Sequence, residues 1–358
     1  MKRPTLRAVG AVMILCALTP MPGIVWGEVT LQPGAREVSS LSNVFGIGPA
    51  PCVPVVDSAA VSPLTAGLGG GSSSSVSAGS PLRREPETTT AKKNCLWRVQ
   101  SKTSTLYILG SVHLLKKESY PLDAAMENAF GNVRKLVLEV DQDVLEKPST
   151  MRMMMSKGMF GDRNTLKSSV SPDTYELVKK RTAELGMPIE RLSKFKPWLL
   201  SITVAAGKLL QLGFDPGLGV DKHFFRKAKE SGIPIVALET IEYQISRFDD
   251  MAPATQEAML RQTLKDLEIL EKEFNAIVES WSAGDTASLD ALMRKSFEQF
   301  PEVYEKLIAE RNRNWLPQIE ALSGQDENCM VVVGALHLVG KDGIVEMLRQ
   351  KGHTVDQL

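Results

Sequence analysis

Apolar positions keep two rhythms along this chain, and the switches between them mark the elements. Residues 96–100, LWRVQ, alternate in the two-residue period of a half-buried strand; 101–104, SKTS, are polar; 105–110, TLYILG, form a second apolar run. The pattern predicts a β-hairpin. Residues 122–130 then repeat at helical spacing, and 135–140, KLVLEV, read as a short buried strand. Strand, helix, strand in that order predicts a right-handed crossover and a parallel pair.

Helical periodicity dominates the middle of the chain. Helices are expected over 151–159, from 171 (Ser171-Pro172-Asp173, with proline at the first helical position), over 197–212 before Gly213, and over 219–231 before Gly232. Further helices are expected over 252–282, from Asp285 as N-cap, over 302–322 with a kink at Pro317, and over 341–351 before Gly352. Between them lie IPIVAL (233–238) and CMVVV (329–333), too short for helices, rich in β-branched residues and expected as buried strands, and a final short strand over 353–356. The expected fold class is α/β: a central, mostly parallel sheet with an N-terminal β-hairpin and a large helical insertion.

Two of these strands end alike. Of the four histidines, His113 and His337 each follow a strand glycine, Gly110 and Gly334, by three residues. The glycines are expected to let the backbone turn sharply as it leaves the sheet. Two other strands end in acids: Glu139, with Asp141 beyond it, and Glu239. If the strands are parallel, two imidazoles and two or three carboxylates meet at the carboxyl edge, where open α/β sheets place ligands. Nitrogen and oxygen donors of this kind make a metal site or an acid/base site. The plainer alternatives are a histidine bonded to a neighbouring loop, glutamates capping the next helices, and a solvated Asp141. His223, beside Phe224 and Phe225 in a helix, reads as a packed residue and His353 as a surface one. Five methionines between 151 and 159 read as an adaptable apolar surface, not as a copper site.

Outside this region the pattern fails. Residues 1–27 have a basic start (Lys2, Arg3, Arg7), an apolar stretch over 8–18 and small residues at Val25 and Gly27, as in a cleavable signal peptide; an uncleaved anchor is the alternative. The apolar core is shorter than the ~20 residues of a membrane span, and Leu15 before Cys16 is too bulky for a lipobox. No stable span is expected after cleavage, so the protein should be periplasmic or secreted. Residues 28–92, with GGGSSSS at 69–75, lack an apolar period and read as a disordered tether to a folded domain over 93–358. Lys and Arg number 42, as do Asp and Glu, so nothing points to nucleic acid. Cys52, Cys95 and Cys329 remain after cleavage. In the predicted hairpin Cys95 is level with Gly110, at the far end of the sheet from Cys329. Five strand residues, ~16 Å, separate those levels, too far for a disulfide.

The pieces YILGSVHL (107–114), LEVD (138–141), GVD (219–221), LETIEYQ (238–244) and VGALHLVGKDG (333–343) together resemble the TraB/GumN family, which includes the Tiki proteases. The resemblance runs from about Leu96 to the C-terminus. It implies an erythromycin-esterase-like (EreA/ChaN-like) fold and a metal-dependent hydrolase, peptidase-like in the Tiki branch. By position His113, Glu139 and His337 match the motif ligands of a divalent ion (manganese, cobalt or zinc). Glu239 and the pair Arg311-Asn312 match further family positions, and Ser111 stands where many members have threonine.

On that reading the ion activates water, Glu239 is general base or fourth ligand, and Arg311 stabilises the oxyanion. Gly110, Gly334, Asp141 and Asn312 support them. The plain alternative for Arg311 is a surface ion pair. The substrate is a peptide or a small molecule. A small-molecule esterase and a non-catalytic binder of a peptide signal are the alternative functions.

Overall fold

Six strands pair in the order β4-β3-β5-β2-β1-β6 in the computed structural model, which describes residues 93–101 and 103–358. The strands are β1 (Leu96–Gln100), β2 (Thr105–Ser111), β3 (Lys135–Leu138), β4 (Ile235–Ala237), β5 (Cys329–Gly334) and β6 (Val355–Gln357). The predicted signal segment, the tether and Cys52 lie outside the described residues. Among the described residues, no helix is long and apolar enough to cross a membrane.

The hairpin forms as predicted, Leu96 opposite Leu109 and Gln100 opposite Thr105. Both β2 and β3 run parallel to β5, and β4 runs parallel to β3. The β-branched run Val331, Val332, Val333 is buried on both faces, as a central parallel strand must be. Two expectations are corrected. First, β2 and β3 share a direction but are not neighbours, because β5 inserts between them; a crossover fixes hand and direction, while adjacency is left to later strands. Second, β4 is not buried. It is three residues long at the sheet edge, and Val236 is 46% exposed. A short apolar run does not say whether both of its sides are covered.

The helices follow their signals closely. Asp123 caps Ala124–Gly131, Ser171 caps Pro172–Glu184, and Asp285 caps Thr286–Phe297, each accepting from a first-turn N–H. The expected helix over 252–282 is two, Pro253–Asp266 and Leu270–Ser282. That over 302–322 contains a π-helical turn, Glu305–Ala309, before its main part, Glu310–Ser323. Among the described residues, Cys95 and Cys329 are buried thiols that form no disulfide. The backbone carbonyl of Cys95 accepts from Gly110 N at 2.7 Å, whereas Cys329 sits opposite Leu106 at the other end of the strands, as the hairpin register required.

The strand glycines act differently from expectation. Gly334 has φ −52° and ψ 134°, a conformation open to any residue. Gly110 is needed for close approach: a Cβ there would lie 3.0 Å from Ala335 Cα and 3.3 Å from Cys95 Cβ. Gly110→Ala is expected to cost about 1–3 kcal/mol through overpacking, read as a lower urea midpoint. An unchanged midpoint would show that β2 and β5 can separate freely.

Candidate active site

Four neighbouring parallel strands deliver their carboxyl ends to one edge. His113 lies two residues past β2, Glu139 one past β3, Glu239 two past β4, and His337 ends the 3-10 turn Ala335–His337 after β5. Helix Glu310–Ser323 crosses this edge and contributes Arg311, Asn312 and Trp315 from its first two turns. Helix Val220–Glu230 contributes Asp221 from its first turn, where the helix dipole favours a carboxylate. Gly219, before that helix, lies against the backbone of His113; a Cβ there would meet the His113 carbonyl at 2.4 Å. His113, Glu139, Asp221, Arg311, Asn312 and His337 are all at most 2% exposed.

The guanidinium of Arg311 is the centre of the cluster. Nη2 donates to Glu139 Oε2 at 2.6 Å and lies 2.8 Å from Glu239 Oε1; Nε donates to both Glu239 oxygens at 3.0 and 3.2 Å. Nη1 donates to the Leu307 carbonyl, inside the π-helical turn, and to His337 Nε2, each at 3.1 Å. Its planar fork of N–H donors is therefore engaged on every nitrogen. Trp315 braces the group from one face, its ring 4.6 Å from Cζ, and its Nε1 donates to Glu239 Oε2 at 2.9 Å. Burial opposes the charge on Arg311, but Glu239 and Glu139 outweigh it and raise the pKa. Burial likewise raises that of Glu239; Arg311 opposes the shift, and the charge of Glu139 adds to it.

His337 is fixed in one tautomer. Asn312 Nδ2 donates to the carbonyls of His337 and Asp342, at 3.0 and 2.7 Å, so Asn312 Oδ1 accepts from His337 Nδ1 at 2.6 Å. Nε2 is then the lone-pair nitrogen that faces Arg311. Burial, the guanidinium and His113 all push the pKa of His337 well down, so the ring is neutral.

His113 differs. Its Nδ1 lies 3.1 Å from Asp221 Oδ1, and Gln142 Nε2 donates to the other oxygen at 3.2 Å. Its Nε2 is buried without a hydrogen-bond partner among the described residues, 3.9 Å from Glu139 Oε1. Burial would lower the pKa of this imidazole, but the charge and hydrogen bond of Asp221, with the charge of Glu139, raise it above the ordinary value. Glu139 Oε1 accepts from Gly334 N at 2.7 Å, which is the chemical use of that glycine. The Ser111 hydroxyl, opposite Gly334 across the strands, is also buried without a partner.

The structure brings His113, Glu139, Glu239, Arg311, Asn312 and His337 together, with Gly334 bonded to Glu139 through its backbone N–H, while Gly110 packs against Ala335 and Cys95. Asp141 stays apart: it caps the short helix Gln142–Leu145, accepting from Asp143 N at 2.9 Å. Asp221 does the orienting instead, and the signal for it was present in the sequence as GVD at a helix start. Gln244 was also missed; its amide donates to Glu239 at 3.2 Å and Glu139 at 3.4 Å.

A two-histidine, one-glutamate metal set does not fit these residues as they stand. The lone pair of His337 is committed to Arg311, and among the described residues no three His, Cys, Asp or Glu side chains are grouped to hold an ion. A cavity of about 490 Å³, lined by Trp97, Asp290, Leu338, Val339, Glu346 and Arg349 among others, lies beyond His337, and no member of the cluster lines it.

The whole described sheet and its helices match the model of the TraB/PrgY/gumN family, over residues 95–357. The chain belongs to that family. Among its relatives in the TraB/PrgY/gumN family is YbaP of Escherichia coli strain K12, named as an uncharacterized protein; it is 23% identical over 243 residues, 68% of this chain and 87% of YbaP. An uncharacterized protein of Treponema pallidum strain Nichols is 20% identical over 283 residues, 74% of this chain and 83% of the relative. No solved structure matches. The match spans every member of the cluster, from Gly110 to His337, so the site lies wholly within the family's shared region.

Proposed function

We propose that this protein is a hydrolase of amide or ester bonds, peptidase-like and exported, in which His113 is the general base. One observation carries the reading: a buried imidazole, held from behind by a carboxylate, presents a reactive nitrogen with no hydrogen-bond partner among the described residues. Every other polar side chain of the cluster is bonded to a neighbour, save the Ser111 hydroxyl. Asp221 fixes the proton on Nδ1 and stabilises the imidazolium once Nε2 takes a second proton, as the acid of a catalytic triad does.

Water held between His113 Nε2 and the carbonyl carbon of the substrate gives a proton to Nε2 as its oxygen attacks. The bond from that carbon to nitrogen or oxygen then breaks, and the same proton passes to the leaving group. The Ser111 hydroxyl is the spare donor for the developing oxyanion. Arg311 and Glu239, expected as oxyanion donor and base, hold the frame: their bonds to each other, to Glu139, Trp315 and Leu307 occupy them.

The test is turnover of quenched peptide libraries and aryl esters by the purified chain. A closed preference for small esters would point to the esterase alternative. Peptide affinity without turnover, unchanged in His113→Gln, would identify a binder and end the hydrolase reading.

The pH dependence follows from the sign of the His113 shift. A base must be deprotonated, and its pKa is raised, so kcat/KM should climb with pH through a midpoint above that of an ordinary histidine. Asp221→Asn removes the charge that raises it and should move that midpoint to lower pH. The variant should also lose on the order of 10²–10⁴-fold in kcat, from the misdirected tautomer. A midpoint that stays in place would remove Asp221 from this role.

A further inference from the structure

We propose that Arg311 is a built-in cation seated in a latent divalent-metal site, so that the native chain holds no metal among Glu139, Glu239 and His337. The inference goes beyond hydrolysis and does not require it. It rests on what surrounds one guanidinium. Within 3.1 Å of its two terminal nitrogens lie a carboxylate oxygen of Glu139, a carboxylate oxygen of Glu239 and the lone-pair nitrogen of His337. One imidazole and two carboxylates form a common donor set for a divalent ion. Here the two carboxylate oxygens converge on Nη2 and the imidazole nitrogen on Nη1, so the guanidinium stands between the ring and the two acids and keeps the three donors from closing on one point at metal bonds of ~2.0–2.2 Å.

The charges agree with this placement. Two buried carboxylates, Glu139 and Glu239, face a single positive group. Removal of the guanidinium leaves a cavity lined by up to two negative charges and a neutral imidazole, with the unpartnered Nε2 of His113 close by, 3.9 Å from Glu139. A divalent cation matches that lining in charge and donor type. While Arg311 is present, the lone pair of His337 is spent, and a dication beside it would meet a fixed positive charge.

Metal content gives the test. The purified full chain, stripped with a chelator and dialysed against Zn²⁺ or Mn²⁺, is analysed by mass spectrometry of the metal beside the His337→Ala chain. Less than about a tenth of an equivalent lost on that substitution is expected. One equivalent in the parent that disappears in His337→Ala would overturn the proposal. Arg311→Ala should gain one equivalent and show a metal-dependent rise in Tm, by mass action on the folded state. The double variant Arg311→Ala/His337→Ala should lose both gains. Should Arg311→Ala be unfolded when metal-free, recovery of its circular-dichroism spectrum with Zn²⁺ or Mn²⁺ supports the latent site. A chain that gains neither metal nor folding overturns it. Turnover is not read in any arm, so a protein without hydrolytic activity leaves the outcome unaffected.

Discussion

Metal-free Arg311→Ala should be the most destabilised single variant of this protein, by about 3–5 kcal/mol. Arg311 is fully buried, and its removal leaves two buried carboxylates, Glu139 and Glu239, without their common cation. The loss measures the cost of uncompensated buried charge, not the net worth of the pair. That makes it separable. Arg311→Met with Glu239→Gln should cost clearly less than the sum of the single variants, because the second change removes one of the orphaned charges.

The pH dependence has a definite sign. Burial already raises the pKa of Glu239 and Arg311 opposes the rise, so without the guanidinium that carboxyl takes up a proton at still higher pH. A folded-state pKa raised above the unfolded value gives stability at low pH that is lost as pH rises. The deficit of Arg311→Ala relative to the parent should therefore be largest near neutrality and shrink as the pH falls. Urea titrations at several pH values measure it. Additive losses with no pH trend would mean that the three groups do not form one charge network.

His113→Gln should lower kcat by roughly 10²–10⁴-fold, the usual contribution of a positioned acid/base group. Glutamine keeps a donor for Asp221 and most of the volume, so the fold should survive. KM should change little, since the imidazole acts on water. The decisive comparison is with His337→Gln. His337 is neutral, its Nε2 is taken by Arg311, and its Nδ1 by Asn312. Its replacement should register first as lost stability. A kcat loss in His337→Gln equal to that in His113→Gln, with stability intact, would make the two rings chemical partners and undo the assignment of one base.

The two histidines also pull stability in opposite directions with pH. His337 must charge on unfolding in acid, so its contribution is lost as pH falls below the ordinary histidine range. The raised pKa of His113 gives a contribution that is complete at acid pH and lost as pH rises through its folded value.

Local pattern reached far here. The hairpin, the helix starts at Ser171 and Asp285 and the β-branched run at 331–333 are legible because turn chemistry, capping and burial act over a few residues. The gathering of His113, Glu139, Glu239 and His337 at one edge was also legible, because parallel strands share a direction and their carboxyl ends must lie together. Asp141 was placed wrongly in role: two residues past Glu139, it looked well placed to orient a ring, but its own helix start was the nearer partner.

The fold class, the four strand ends and the inventory of groups brought to them are written in local pattern. The tertiary structure alone decided which group faces which. The bonds of Arg311 to Glu239 and Glu139 join residues 72 and 172 positions apart, and the pairing of His113 with Asp221 spans 108. Separations of that size carry no period and no turn signal. They are set by how helices Glu310–Ser323 and Val220–Glu230 pack across the sheet, and that packing put a guanidinium where the motif alone suggested an ion.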